Sequence, residues 1–308
     1  MCEKRVQADV VDGIDGSFPD NPPKGALIPV HHGGQMNRPA DLPDFKAPPL
    51  TEVAMSVQFN HLSAFTHVHI GLLWEKFRSR FPIVSYQPPL APSFETFGVP
   101  QSRTPSFQIQ FEDRPEIPRL WFADLKGIEL IQFQPDRFIH NWRKTGDETH
   151  YPRYEALRER FVTEMAALQD FSAENGLGPL VPNQCEITYI NTIKRGTLDV
   201  ASMADIFRWW ENVQIDSLGP MEDAGVQMSY LIPGPGGDPI GRLWVQSNPG
   251  LSSEGERVQM LSLIGRGPPA SPHFDAVLDF FDNARARIVT AFAGITTENM
   301  HKAWGREA

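Results

Sequence analysis

Residues 184–194 alternate in character: Cys185, Ile187, Tyr189 and Ile193 fall on one side, and Gln184, Glu186, Thr188, Thr192 and Lys194 on the other. Successive side chains of a pleated strand point to opposite faces, so this pattern specifies a strand with one buried side. Such a strand needs neighbours for its backbone and an apolar cover for its greasy side. Asn191 interrupts the apolar side and is either a buried hydrogen-bonding residue or a contributor to a polar site.

The sequence before and after this stretch supplies neighbours and cover in the same order. Val53, Met55, Val57 and Phe59 alternate with Glu52, Ala54, Ser56, Gln58 and Asn60, which predicts a first strand. Ile70, Leu73, Trp74 and Phe77 then recur at helical spacing, and Pro82 disfavours continuation. A proline-rich connection over 87–105 leads to strands expected at 106–112, 119–124 and 128–134; residues 136–143 either extend the sheet or form a structured loop. From Pro152 a long helix carries Tyr154, Leu157, Phe161, Met165, Leu168 and Phe171 on one stripe, and Gly176 and Gly178 end it. After 184–194, a short helix is expected over 204–211, strands over 225–232, 241–247 and 257–264, a long helix over 274–292 and a last short helix ending at Trp304. The expected fold is therefore α+β: two tandem β-α-β(n)-α repeats with antiparallel sheets, each carrying a long helix on one face. Arg119-Leu-Trp-Phe122 and Arg242-Leu-Trp-Val245 are expected at the same place in each repeat. The boundaries read as a flexible Pro/Gly-rich tail over 1–47, a first repeat over 48–182 and a second over 183–308.

Composition limits function. The chain has 308 residues and a net charge of −10, which opposes long-range attraction to nucleic acid or anionic membrane. Its two cysteines supply no disulfide framework, and Cys185, on the apolar side of its strand, reads as a small core residue. No apolar run approaches the roughly 18 residues of a membrane span, and no secretory leader is evident, so a cytoplasmic protein is expected. His31-His32 lies in a segment too loose to fix a metal, and His67-Val-His69 runs into a helix where positions two apart diverge. The 234–239 segment is rich in glycine but joins two strands and lacks the Lys-Ser or Lys-Thr of a phosphate loop. No metal site and no cofactor is expected.

Two groups of residues are candidates for a functional surface. If helices cover the apolar side, the other side carries Glu52, Ser56, Gln58, Arg119 and Trp121 from the first half, and Glu186, Thr188, Gln227, Ser229, Arg242, Trp244 and Gln246 from the second. An aromatic among polar groups on a sheet contributes much buried area on association. This set reads either as a binding saddle or as structural ion pairs, Glu52 with Arg119 and Glu186 with Arg242, beneath tryptophans. The second group is Gln132, Gln134, Asp136, Arg137, His140, Asn141, Trp142 and Arg143. Arg and Asn there could fix a carboxylate or phosphate, and Asp and His could exchange protons; the alternative is a turn and edge strand whose polar groups serve the backbone.

Several segments together carry a resemblance: Pro-Pro-Leu-Thr-Glu-Val (48–53), Trp-Glu-Lys-Phe-Arg (74–78), Arg-Phe-Pro (80–82), Ile-Gln-Phe-Gln-Pro-Asp-Arg-Phe (131–138), Asn-Trp-Arg (141–143), Tyr-Pro-Arg-Tyr (151–154) and Cys-Glu-Ile-Thr-Tyr-Ile-Asn (185–191). In combination these resemble a sporadically distributed bacterial protein family of unknown function, from about residue 48 onward. The resemblance implies a bacterial cytoplasmic protein and brings no activity, cofactor or catalytic residue. The element order is similar to half of a TATA-binding-protein-like or helix-grip fold.

The leading expectation is a non-catalytic interaction protein that engages a protein partner through an open sheet face, with self-association left open. The second is a small-molecule enzyme or sensor with its site at 136–143. The third, nucleic-acid binding across a saddle, conflicts with the charge. The candidate ligand-contacting residues are Arg137, Asn141, Trp142, Arg143, Asp136, Glu186, Asn191, Trp121, Trp244, Arg119 and Arg242.

Overall fold

The alternating stretch forms strand β6 (Pro182–Lys194), and it pairs directly with β1 (Leu50–Phe59) in an antiparallel register that sets Ala54 opposite Thr188 and Met55 opposite Ile187. A computed structural model describes residues 39, 41–98, 116–195, 202–210, 217, 221–252 and 254–307. Around the β1–β6 pair stand β2 (Ile83–Gln87), β3 (Arg119–Ala123), β4 (Glu129–Gln134) and β5 (Arg137–Arg143) on one side, and β7 (Val226–Pro233), β8 (Pro239–Leu251) and β9 (Arg257–Gly267) on the other. The order is β2-β3-β4-β5-β1-β6-β9-β8-β7, one antiparallel sheet rather than the two that were expected. Pairing β1 with β6 removes two edges that separate sheets would have exposed.

Among the described residues five α-helices complete the α+β fold: α1 (Val68–Phe77), α2 (Tyr154–Glu174), α3 (Met203–Ile206), α4 (Phe274–Ile295) and α5 (Glu298–Ala303). Register places Val53, Met55 and Val57 of β1 beside Trp142, His140 and Phe138 of β5, and Cys185, Ile187 and Tyr189 of β6 beside Gly267, Gly265 and Leu263 of β9. These side chains share one face, and α2 and α4 cover it. The two long helices meet there, with Phe161 of α2 stacked on Phe274 at 6.1 Å and edge-on to Phe281 of α4 at 5.3 Å. The α2 stripe expected from spacing, Leu157, Phe161, Met165, Leu168 and Phe171, is buried throughout. Cys185 is fully buried in the same core, and burial raises its thiol pKa far above the ordinary value, so it is a packing residue.

Glycine lets α4 approach the second half of the sheet. A Cβ at Gly265 would lie 2.7 Å from the Ala284 methyl of α4, closer than two carbons can pack. At the amino side, the packed body begins before residue 48: Phe45 is buried, bridges to Arg306 and packs against Phe292 and Trp304. Residues 136–143 resolve as a tight turn and β5. Strand β2 is an element that hydrophobic alternation did not announce, because four of its five residues are exposed at the sheet edge. The strand expected at 106–112 and the pair His31-His32 lie outside the described residues. The 234–239 segment is a hairpin turn between β7 and β8, closed by Gly234 N–H donating to Asp238 O at 2.8 Å.

Candidate functional site: the polar face and its strap

The side of the sheet away from the helices carries the polar set read from alternation. Register aligns Gln58 with Arg137, Ala54 with Asn141 and Glu52 with Arg143 on β1 and β5; Gln132 lies between Trp121 and Ile139 on β3 and β5. On the other half Glu186 faces Arg266, Arg242 faces Arg266, and Trp244 lies between Ser229 and Ile264.

This face is not fully open. Residues 88–97, leaving β2 at the edge, cross it as a strap towards the opposite half. The strap is held by hydrogen bonds from the sheet's own side chains: Gln134 Nε2 donates to Leu90 O at 2.9 Å and its Oε1 accepts from Leu90 N–H at 2.9 Å. Further along, Gln58 Oε1 accepts from Ser93 N–H at 3.1 Å and from Arg137, which also reaches Ala91 O. Proline-rich backbone with few neighbours cannot order itself, so the amide side chains supply what a neighbouring strand would otherwise give. The strap ends in a charged anchor. Glu95, whose side chain is 1% exposed, accepts from Arg242 and from Trp244 Nε1 at 2.7 Å, and Arg266 Nη1 lies 3.7 Å away. Arg266 turns its Nε to Glu186 and its Nη1 to Ser93 Oγ, and Arg242 donates to Thr96 O.

At the other end of the face lies a second aromatic–arginine cluster, and it is bonded differently. A line of hydrogen bonds runs across three strands and β1: Arg119 to Gln132 Oε1 at 2.7 Å, Gln132 to Asn141 Oδ1 at 2.7 Å, and Asn141 to Glu52 Oε1 at 2.6 Å. Trp121 lies between two guanidinium groups, Arg119 at 5.5 Å and Arg143 at 5.8 Å from the ring centroid, within reach of cation–π attraction. Arg143 donates to Gly127 O at 3.2 Å. Trp121 Nε1, Arg119 Nε and Arg143 Nε are each shielded from solvent and have no acceptor among the described residues. Burial, with Arg137 nearby, draws the Arg119 pKa below its ordinary value, and burial lifts Glu52 above the usual carboxylate value against Asn141 and Arg143.

Strand periodicity divides the 136–143 group. Arg137, Asn141 and Arg143 point to the polar face, whereas His140 and Trp142 point into the helix-covered core, so no single constellation forms. Trp142 is a core residue packed against Tyr151, with centroids 5.2 Å apart and the ring planes tilted by 57°. His140, fully buried, joins its Nδ1 to Glu164 of α2 at 2.7 Å; Arg80 bridges Glu164 and Glu129, and Arg160 adds a second arm on Glu129. Asp136 sits in the β4–β5 turn and accepts from Gln134 at 2.6 Å, a turn-stabilising role. Asn191 lies in the core and donates to Leu261 O at 3.3 Å, which removes it from the polar surface. Neither expected Glu–Arg pair forms among the described residues: Glu52 bonds to Asn141, and Glu186 to Arg266. The two Arg-Leu-Trp tripeptides also occupy different rungs. Arg119-Leu-Trp lies on β3, three strands from β1, and Arg242-Leu-Trp lies on β8, two strands from β6.

Glu95 and Arg266 are polar-face residues that sequence reasoning missed. Arg266 was within reach, because extending the β9 alternation from Ser262 through Ile264 puts it on the polar side. Glu95 had no signal, since nothing in a proline-rich connection reports which surface it will cross. Among the described residues no group of three or more His, Cys, Asp or Glu side chains is placed to hold a metal ion, and no helix is long and apolar enough to cross a membrane. No known protein family, characterised protein or solved structure matches this chain.

Proposed function

We propose that this is a non-catalytic binding protein that receives a protein partner on the part of its polar sheet face beyond the strap, centred on Trp121. The observation that carries this reading is the donor imbalance in the Arg119–Trp121–Arg143 cluster. Among the described residues three shielded N–H groups there lack acceptors, and a buried donor left unmade costs about 1–3 kcal/mol. A partner that supplies acceptors recovers that free energy on binding, and the indole and guanidinium planes contribute area that the polar rim alone lacks. The division of His140 and Trp142 from Arg137, Asn141 and Arg143 leaves the enzyme reading without a convergent acid–base pair on this face. The charge of −10 weighs against nucleic acid as the partner.

We also read the architecture as two diverged copies of one unit, of TATA-binding-protein-like type, in a cytoplasmic bacterial protein of the sporadically distributed family. In support, each half sets its first strand beside its last, β1 by β5 and β6 by β9, and each follows its last strand with a long helix, α2 or α4. The test of function is recovery of partners from the native host with the wild-type chain and with Trp121→Ala. Loss of a specific protein from the variant, with an unchanged far-ultraviolet circular dichroism spectrum, is the expected result. Identical recovery by both chains would overturn the reading.

A further inference from the structure

The strap shows what one aromatic–arginine cluster of this face accepts. At the Arg242–Trp244–Arg266 cluster the occupant is a carboxylate: Glu95 takes the indole N–H of Trp244 on one oxygen and Arg242 on the other, with Arg266 alongside. The Arg119–Trp121–Arg143 cluster presents the same donor types. Arg119 lies 5.5 Å from the Trp121 ring centroid, as Arg242 lies 5.4 Å from that of Trp244. Each tryptophan is opposed across the outer strand by a serine, Ser85 for Trp121 and Ser229 for Trp244. One cluster is filled by the chain itself; the other has its indole and two guanidinium Nε donors without acceptors among the described residues.

Resting on the proposed partner-binding role of this face, we infer that the Arg119–Trp121–Arg143 cluster is a carboxylate site, and that its ligand is a Glu or Asp side chain on an extended segment of a partner protein. Two cationic guanidiniums and an indole donor match a two-oxygen anion, because each carboxylate oxygen then takes a charge-assisted or N–H bond. An extended segment is the form in which the strap delivers Glu95, with the Phe97 ring 5.5 Å from Arg242. The guanidinium groups lie 5.5 and 5.8 Å from the ring centroid, and they shift to meet the carboxylate as it approaches Trp121 Nε1. Both arginines are partly exposed, and their long stems allow the movement. Asn141 and Gln132 hold Glu52 and Arg119 in one line, so a ligand carboxylate competes with Gln132 for Arg119 without leaving an arginine unpaired.

The probe is a fluorescein-labelled octapeptide with the sequence of residues 90–97, tested beside the same peptide with Gln in place of its Glu. Fluorescence anisotropy is measured with the full chain and with Trp121→Phe, Arg143→Gln and Trp244→Phe. Trp121→Phe keeps an aromatic ring while removing the indole donor with its pyrrole ring, a smaller change than truncation to Ala, which guards against a folding artefact. The Glu peptide is expected to bind at least about tenfold more tightly than the Gln peptide, with a loss of about tenfold in Trp121→Phe and in Arg143→Gln and none in Trp244→Phe. Excess acetate that displaces the peptide in proportion to its own occupancy would identify the carboxylate as the recognised group, and peptide held against it would add the flanking segment to the recognition.

Equal binding of the Glu and Gln peptides, or no binding, overturns the carboxylate assignment. Binding that depends on Trp244 and not on Trp121 also overturns it, since the peptide would then be replacing the strap. Retention of a labelled oligothymidylate on Arg119 and Arg143, uncontested by the Glu peptide, overturns it in favour of a phosphate ligand. If Trp121→Ala still abolishes recovery of the native partner while the two peptides bind alike, the binding role stands and only the ligand class falls.

Discussion

Two carboxylates on the polar face behave in opposite ways because their surroundings differ. Glu95 is enclosed by Arg242, Arg266 and Trp244, so removing it strands a guanidinium that is itself 9% exposed. Breaking such a buried pair from one side costs about 3–5 kcal/mol, and Glu95→Ala should lower the urea-unfolding free energy by roughly that amount. A much smaller loss would show that the strap is not anchored there. Glu52 is held by one amide, and burial raises its pKa above 4.5. Below the ordinary carboxylate value it is protonated both folded and unfolded and contributes nothing to the pH dependence. As pH rises from there through the raised folded value, the unfolded chain ionises first and wild-type stability falls. Glu52→Gln keeps an acceptor for Asn141 and removes that ionisation. The variant should therefore gain stability over wild type above this window and show no gain below it. Denaturation series at acid and neutral pH check the sign.

Elements differ in how firmly they are held. Strand β6 sits inside the sheet with β1 and β9 on either side, whereas β2 and β7 are its edges, with Tyr86 59% and Leu231 57% exposed. Amides of β1 and β6 should exchange with deuterium slowest and those of β2 and β7 fastest, with central-strand protection approaching that of global unfolding. Edge amides as protected as central ones would mean that another chain covers the edge. The contact of α4 with the sheet is equally specific. Gly265→Ala forces its new methyl against Ala284 and should cost about 1–3 kcal/mol. Ala284→Gly removes the opposing methyl, so the double variant should show a favourable coupling of about 1 kcal/mol in a thermodynamic cycle. Strict additivity would place the strain elsewhere.

For the whole molecule, the β1–β6 seam decides what can fold alone. A chain of residues 41–181 leaves β1 as an uncovered edge, and a chain of residues 182–307 does the same to β6 and loses Glu95 from Arg242. Each fragment produced singly should aggregate, and the two produced together should co-purify as one soluble species; soluble single fragments would show that the seam is dispensable. The strands and helices were legible because alternation and helical spacing are local: β1, β6, α2 and α4 are each written in their own residues. Alternation also placed Glu52, Arg119, Trp121, Glu186, Arg242 and Trp244 on one face, since the side of a strand is set by parity alone. Trp142 and Asn191 were candidates for ligand contact by residue type, but their parity points into the core, where Asn191 takes the buried hydrogen-bonding alternative. What the sequence by itself determined about this protein is the identity of most of its elements, β2 excepted, and the side each strand residue takes. The tertiary structure alone decided that two halves share one sheet, that α4 closes on glycines, and that residues 88–97 carry Glu95 to Arg242. Those choices join residues as far as 173 positions apart through shape and charge, and no local period records them.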